Sequence, residues 1–184
     1  MSVTFVQLTR HYYREMQQIS FRNDILPLKD KLFRLAFRIT LDRAEAEDVV
    51  QETLIRVWNK KDEWKQLDSV EAFSLTICRN LSIDRSQKKE AQNVEFNEDL
   101  HDRVDSSNAI DSMEHKEKMQ IIRRLFDNLP EKQRSIMQLR DIEEKSYKEI
   151  AEILDITEEQ VKVNLFRARK SIRQQYIEIE NYGL

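Results

Sequence analysis

The chain has 184 residues, 35% charged and 40% hydrophobic, a balance that excludes a disordered polymer and a membrane-embedded protein and suits one domain or two small ones. One Gly and two Pro leave few places for tight β-hairpins, which points to an all-α fold. The formal net charge is −3, from 31 Lys and Arg against 34 Asp and Glu, so any nucleic-acid binding must rest on cations gathered in one place.

The leading stretch MSVTFVQLTRHYYREM has no uninterrupted apolar run of signal-peptide length. No segment reaches the ~18 apolar residues of a membrane span. Cys78 has no second cysteine to pair with, which fits a reducing compartment. A cytoplasmic protein without membrane insertion is therefore expected. Residues 1–21, with His11, Tyr12 and Tyr13, form an N-terminal extension to which no role is assigned.

Residues 22–90 read as one helical block. DKLFRLAFRIT sets Leu32, Leu35, Ala36 and Ile39 at helical spacing. DRAEAEDVVQETLIRVW opens with Asp42 three residues before Glu45, an N-cap pair, and carries Val50, Leu54 and Val57 as a stripe widened by Val49 and Trp58. A polar connection, NKKDEWKQLD, leads to a third helix capped by Ser69 or Asp68, with Phe73, Ile77 and Leu81 on one face and a basic tail, DRSQKK. Residues 91–112 then read as an acidic linker: from Glu90 to Ser112 seven carboxylates face one cation, Arg103.

Residues 113–178 form a second block. SMEHKEKMQIIRRLFDNL buries Ile121, Ile122 and Leu125, and Pro130 suits the first turn of the next helix, PEKQRSIMQLRDI. Two capping boxes follow, Ser146 to Glu149 and Thr157 to Gln160. The helix after the first places Ile150, Ala151 and Leu154 inward; the helix from Glu158 past Arg173 carries a stripe of Val161, Leu165, Ala168 and Ile172. Their short corner fits a helix-turn-helix. It lacks glycine, and Asp155 is the residue expected to take the left-handed conformation there.

Opposite the Val161 stripe lie Glu159, Val163, Phe166 and Lys170, flanked by Lys162 and Arg167. Between Gln160 and Gln175 the charges are Lys162, Arg167, Arg169, Lys170 and Arg173, with no acid among them. Such a face is either an ordinary solvated surface or a DNA-binding one, since Lys and Arg neutralise phosphates and Arg reads guanine edges. The two caps and the short corner favour DNA.

The segments DRAEAEDVVQETLIRVW, AFSLTICRNLSIDR, LPEKQRSIMQLRDIEEKSYKEIAEIL and EEQVKVNLFRARKSIR, in that order over roughly residues 25–175, resemble the extracytoplasmic-function (ECF) sigma factors of bacterial RNA polymerase. The resemblance implies two small helical domains, regions two and four, tethered across the polymerase and directing promoter recognition and transcription initiation. It implies that the second domain reads the minus-thirty-five element, with Lys162, Val163, Phe166 and Arg167 facing bases; Arg169, Lys170 and Arg173 suit phosphates. It implies that the first domain opens the minus-ten element and binds core polymerase. Asp48, Gln51, Glu52 and Arg56 resemble the polymerase-binding positions. Lys60, Lys61, Trp64, Arg79, Asn80 and Arg85 are the candidates for the opened strand. Trp64 is either a packing residue or a stacking one, and Asn80 bonds either a base edge or its own helix. The resemblance further implies an anti-sigma factor that masks both domains.

The chain departs from the family with Glu159-Gln160 where Gly-Thr is frequent, and Val163-Asn164 where Ser-Arg is frequent, which bears on the promoter sequence rather than the docking mode. An acidic linker that repels DNA would keep the free protein off promoters until polymerase supplies the missing contacts. The alternative is a stand-alone helix-turn-helix regulator, which needs a dimer interface to read paired half-sites; a helical protein-interaction module is the third. No enzyme is expected and no cofactor: His11, His101 and His115 lie in unrelated contexts, without a phosphate-cradling glycine loop or metal-ligand spacing, and Cys78 reads as a small core residue.

Overall fold

The structure, a computed structural model, describes residues 19–92 and 113–182, and all regular elements among them are helical. Most of the N-terminal extension and of the acidic linker, with Tyr12 and Arg103, lies outside the described residues.

A π-helical turn at Phe21–Ile25 and a 3-10 turn at Leu26–Leu28 lead into α1, Lys29–Thr40, which buries the expected Leu32, Leu35, Ala36 and Ile39. It ends at Leu41 in the left-handed region (φ 54°), whose N–H donates to the Phe37 carbonyl at 2.9 Å. Helix α2, Arg43–Asn59, starts at the expected cap, the Asp42 carboxylate accepting from the Glu45 N–H at 3.1 Å. A 3-10 stretch, Lys61–Gln66, connects it to α3, Val70–Gln92, where Ser69 is the cap: its Oγ accepts from the Ala72 N–H at 3.1 Å.

In the second block α4, Met113–Asp127, leads to α5, Glu131–Met137, continued by a π turn, Gln138–Ile142. Pro130 caps α5 from one position outside the expected first turn, its carbonyl accepting from Gln133 and Arg134. Helix α6, Tyr147–Leu154, has both bonds of the Ser146–Glu149 capping box. Asp155 makes the corner at φ 52°, ψ 55°, and the Ile156 N–H returns to the Ala151 carbonyl at 3.0 Å. The second box also closes: Thr157 Oγ1 accepts from the Gln160 N–H at 3.2 Å and Gln160 Oε1 from the Thr157 N–H at 3.3 Å. Helix α7 then runs Glu158–Tyr182 with Val161, Leu165 and Ala168 fully buried.

Two side chains expected inside lie elsewhere. Trp58 is half-exposed, its ring meeting Phe21 edge-on at 5.3 Å, because it falls on the outer side of α2. Ile122 is exposed on α4, with Leu125 taking the core position. Phe73 and Ile77 flank a smaller cluster of Ile25, Val57 and Trp64, while Leu75, Cys78 and Leu81 supply the main core from α3.

The two blocks are not merely tethered. One continuous core joins Leu32, Leu35, Leu75 and Cys78 of the first to Ile136, Leu139, Ile150 and Leu165 of the second, with α3 against α6, and α1 against α5 and the π turn. Around it lies a polar seam. Arg34 donates from Nε and Nη2 to the two carboxylate oxygens of Glu143 at 2.7 and 2.8 Å, and Glu143 also accepts from Gln138 Nε2 at 2.9 Å. Arg38 pairs with Asp127 at 2.6 Å and lies over the Phe126 ring; Arg134 donates to the Arg38 carbonyl at 2.9 Å. Glu71 bridges Lys31 and Lys145, each at 2.8 Å. Burial would raise the Glu71 carboxyl, but hydrogen bonds from Lys145 and Lys31 hold it below the ordinary value.

Candidate nucleic-acid interface

Helix α7 presents the basic face because its opposite stripe is anchored in the core. With Val161, Leu165 and Ala168 inward, Lys162, Val163, Phe166, Arg167, Lys170 and Arg173 all point to solvent. Phe166 is 68% exposed, the most exposed large apolar side chain among the described residues, and Val163 is 46% exposed. Arg167, Lys170 and Arg173 make no ion pair among the described residues, so their charge is available to a ligand. Arg169 differs: its guanidinium pairs with Asp141 on the π turn, and that hydrogen bond holds it above the ordinary arginine value. Two residues absent from the sequence expectations complete this end. The Tyr147 ring lies between the Arg140 guanidinium, 4.9 Å from its centroid, and the Lys162 ammonium at 5.9 Å. Arg140 precedes the corner in the chain, so no spacing on α7 could have pointed to it.

The residues assigned to the opened strand fall into three groups. Lys60 and Lys61 are exposed, Lys60 pairing with Glu63 at 3.3 Å and Lys61 lying 5.0 Å over the Trp58 ring. Trp64, next to them, is a packing residue: it is 4% exposed, and its indole N–H donates to the Val57 carbonyl at 3.0 Å. Its ring cannot stack on a base while that cluster is intact, because an indole N–H bonded to the α2 backbone sets the ring inside. Arg79 and Asn80 are joined by a 3.1 Å hydrogen bond, with the Arg79 Nε buried and unpartnered. Arg85 turns to the other side of α3, where it meets Glu45 at 3.0 Å, Glu52 at 3.1 Å and Asp48 at 3.6 Å.

Two of those partners, Asp48 and Glu52, are polymerase-binding candidates. Glu52 accepts from Arg85 and, at 2.6 Å, from Arg56, and these bonds, Arg85 first, hold its carboxyl below the ordinary value. Asp48, Gln51 and Arg56 are exposed on the same helix. Between them stands Ile55, 59% exposed, one turn beyond Gln51. A helical wheel of α2 would have placed it there. Among the described residues no cluster of His, Cys, Asp and Glu could hold a metal ion, and no helix is long and apolar enough to cross a membrane.

Residues 25–92 match the family described as Sigma-70 region 2, and residues 119–172 match Sigma-70, region 4. The chain is 31% identical over 170 residues to the ECF RNA polymerase sigma factor SigW of Bacillus subtilis (strain 168), covering 86% of this chain and 89% of that protein. It is 30% identical over 148 residues to SigM of the same organism, covering 79% and 88%. Its fold is similar to the sigma factor RpoE, solved in complex with the anti-sigma factor NepR from Bartonella quintana, with a TM-score of 0.68 at 24% identity over 86% of this chain and 97% of that one. It is also similar to CnrH, solved with the cytosolic domain of CnrY, with a TM-score of 0.61 at 17% identity over 88% and 90%. The helices that present the basic face of α7 and the polar, charged face of α2 thus lie in regions four and two of one initiation factor, and the chain belongs to the ECF sigma factors of RNA polymerase, DNA-binding regulators that direct promoter recognition.

Proposed function

We propose a division of labour within that role. Lys162, Val163, Phe166 and Arg167 face the bases of the minus-thirty-five element, and Lys170 and Arg173 neutralise phosphates beside them. Arg169 joins them by exchanging Asp141 for a phosphate. Lys60, Lys61, Arg79 and Asn80 meet the opened minus-ten strand, and Arg85 does so on release from Glu45 and Glu52. Trp64 is left to support the loop from beneath. Asp48, Gln51, Glu52 and Arg56, with Ile55, dock on core polymerase. The protein works in the cytoplasm, where polymerase is, and the complex of RpoE with the anti-sigma factor NepR makes a masking partner part of this reading.

The two elements lie about twenty-five base pairs apart, or about 85 Å of duplex at ~3.4 Å per pair. A compact body of this length has a radius of gyration of about 16 Å, so the joined blocks cannot reach both elements at once. They must part along the Arg34–Glu143 seam. The twenty residues between Gln92 and Met113 can then span at most about 70 Å of the gap, and the blocks themselves cover the rest.

The observation that carries this reading is the exposed face of α7, with five cations and no acid between Gln160 and Gln175 in a chain of net charge −3. The test is run-off transcription on genomic template with core polymerase, followed by start-site mapping. Discrete new starts that depend on this protein, and weaken with Arg167→Ala, support it. Equal transcription with and without the protein refutes it.

A further inference from the structure

Phe166 and Val163 stand three residues apart on the solvent face of α7, one turn of exposed apolar surface at 68% and 46%. Asn164, which follows Val163 in the chain and turns to the flank of the face, is occupied: its Nδ2 donates to the Gln160 carbonyl at 2.8 Å, within its own helix. Lys162 leans toward the Tyr147 ring, and Arg169 is held by Asp141. The centre of the face is therefore an apolar edge bordered by Arg167 and Lys170. Glu159 stands one turn before Val163, but the cations of the face, Lys162, Arg167, Lys170 and Arg173, outnumber it, which suits a polyanion. In the major groove the bases offer donors and acceptors that are distinct for each pair, and a single apolar group, the thymine 5-methyl.

We propose that Val163, with Phe166 beside it, is a specificity-determining residue that selects thymine by its 5-methyl group. The proposal rests on α7 entering the minus-thirty-five element and names what it reads there. A hydroxyl or guanidinium at these positions would seek base-edge acceptors. A valine has none to offer or accept, so its discrimination comes from apolar burial alone. Burying one methyl is worth about a fourfold preference.

Deoxyuridine differs from thymidine by that methyl and keeps the same pairing edge, which isolates the contact. Holoenzyme assembled from core polymerase and the full chain is used to select synthetic duplexes randomised only across the minus-thirty-five element. One library carries thymine and the other deoxyuridine within that stretch. The expected result is at least one position where thymine is enriched and deoxyuridine is not, with isolated duplexes differing there by about fourfold in affinity. Val163→Ser is expected to abolish that difference while leaving the salt dependence of binding unchanged, since no phosphate contact is lost. Phe166→Leu, which keeps an apolar edge, is expected to retain it. Equal enrichment of thymine and deoxyuridine at every position overturns the proposal while leaving promoter binding by α7 intact. A thymine preference that survives Val163→Ser unchanged overturns the assignment to Val163. No enrichment in either library, with undiminished transcription, overturns base reading by α7 and this proposal with it.

Discussion

The Arg34–Glu143 pair holds the two blocks together through a carboxylate that cannot be hydrated in place. Glu143's side chain is 1% exposed, whereas that of Arg34 is 43% exposed. Two charges ~4 Å apart at an effective dielectric of ~20 attract by about 4 kcal/mol. With nearly half of the guanidinium in water, screening cuts this to about 2 kcal/mol. Arg34→Ala leaves the buried carboxylate with the Gln138 amide alone, and the joined form loses that same amount relative to the parted form, which rehydrates Glu143. The ratio of joined to parted molecules then falls about 30-fold. Spin labels on Glu47→Cys and Glu152→Cys, both exposed and one in each block, report the separation by pulsed dipolar spectroscopy across a potassium chloride titration. Arg34→Ala is expected to bring the long-distance population in at lower salt than the parent. On the proposed function polymerase takes the parted form, so the variant's apparent affinity for core is expected to rise in the same proportion. An unchanged distance distribution and salt midpoint would show that the pair does not hold the seam, and the calculation above would be wrong.

Acid acts on the same seam through Glu71, whose carboxyl is depressed in the joined form and returns to the ordinary value of about 4.3 once Lys145 and Lys31 move away. The joined form therefore gains from this group above that value and loses the gain as pH falls through the depressed one. Parting is expected to increase as pH drops below about 4.5, and Glu71→Gln removes that component of the distance change. Ser146→Ala opens the α6 capping box and is expected to cost about 1 kcal/mol, lowering the calorimetric Tm by about 2–4 °C. Glu144 sits exposed at φ 56°, so Glu144→Gly is expected to raise Tm by about 2 °C while Glu144→Ala does not. Lys170→Ala removes one phosphate contact and is expected to lower the salt slope of holoenzyme–promoter binding by about 0.9, read from filter binding at several salt concentrations.

Helix identity and the caps were legible because they depend on neighbours in sequence. Asp42, Ser146 and Thr157 each find their partner three residues on, and Asp155 takes the left-handed corner for want of glycine. The outward face of α7 was legible for the same reason: one inward stripe fixes the opposite one. What escaped were facts of long sequence separation. Nothing near Arg34 announces Glu143, and nothing near Arg85 selects Glu45 and Glu52 over solvent. Trp58 and Trp64 lie six residues apart in similar surroundings, and which one is buried depends on Ile25 and Phe73 arriving from other elements. The seam itself was hidden because its apolar side, Leu75 on α3 and Ile153 on α6, reads along the chain as ordinary core of two separate blocks.

Cys78 is fully buried within the first block, its Sγ donating to the Leu32 carbonyl at 3.3 Å, and burial pushes its thiol up to about 12. Only the thiolate attacks alkylating and oxidising agents, so the lone sulfur is a clock that runs when α1 and α3 come apart. The groups bonded to it, Leu32, Thr53 and Ser82, all belong to the first block, so its rate of alkylation, followed by mass spectrometry, reports the opening of that block with no foreign probe introduced.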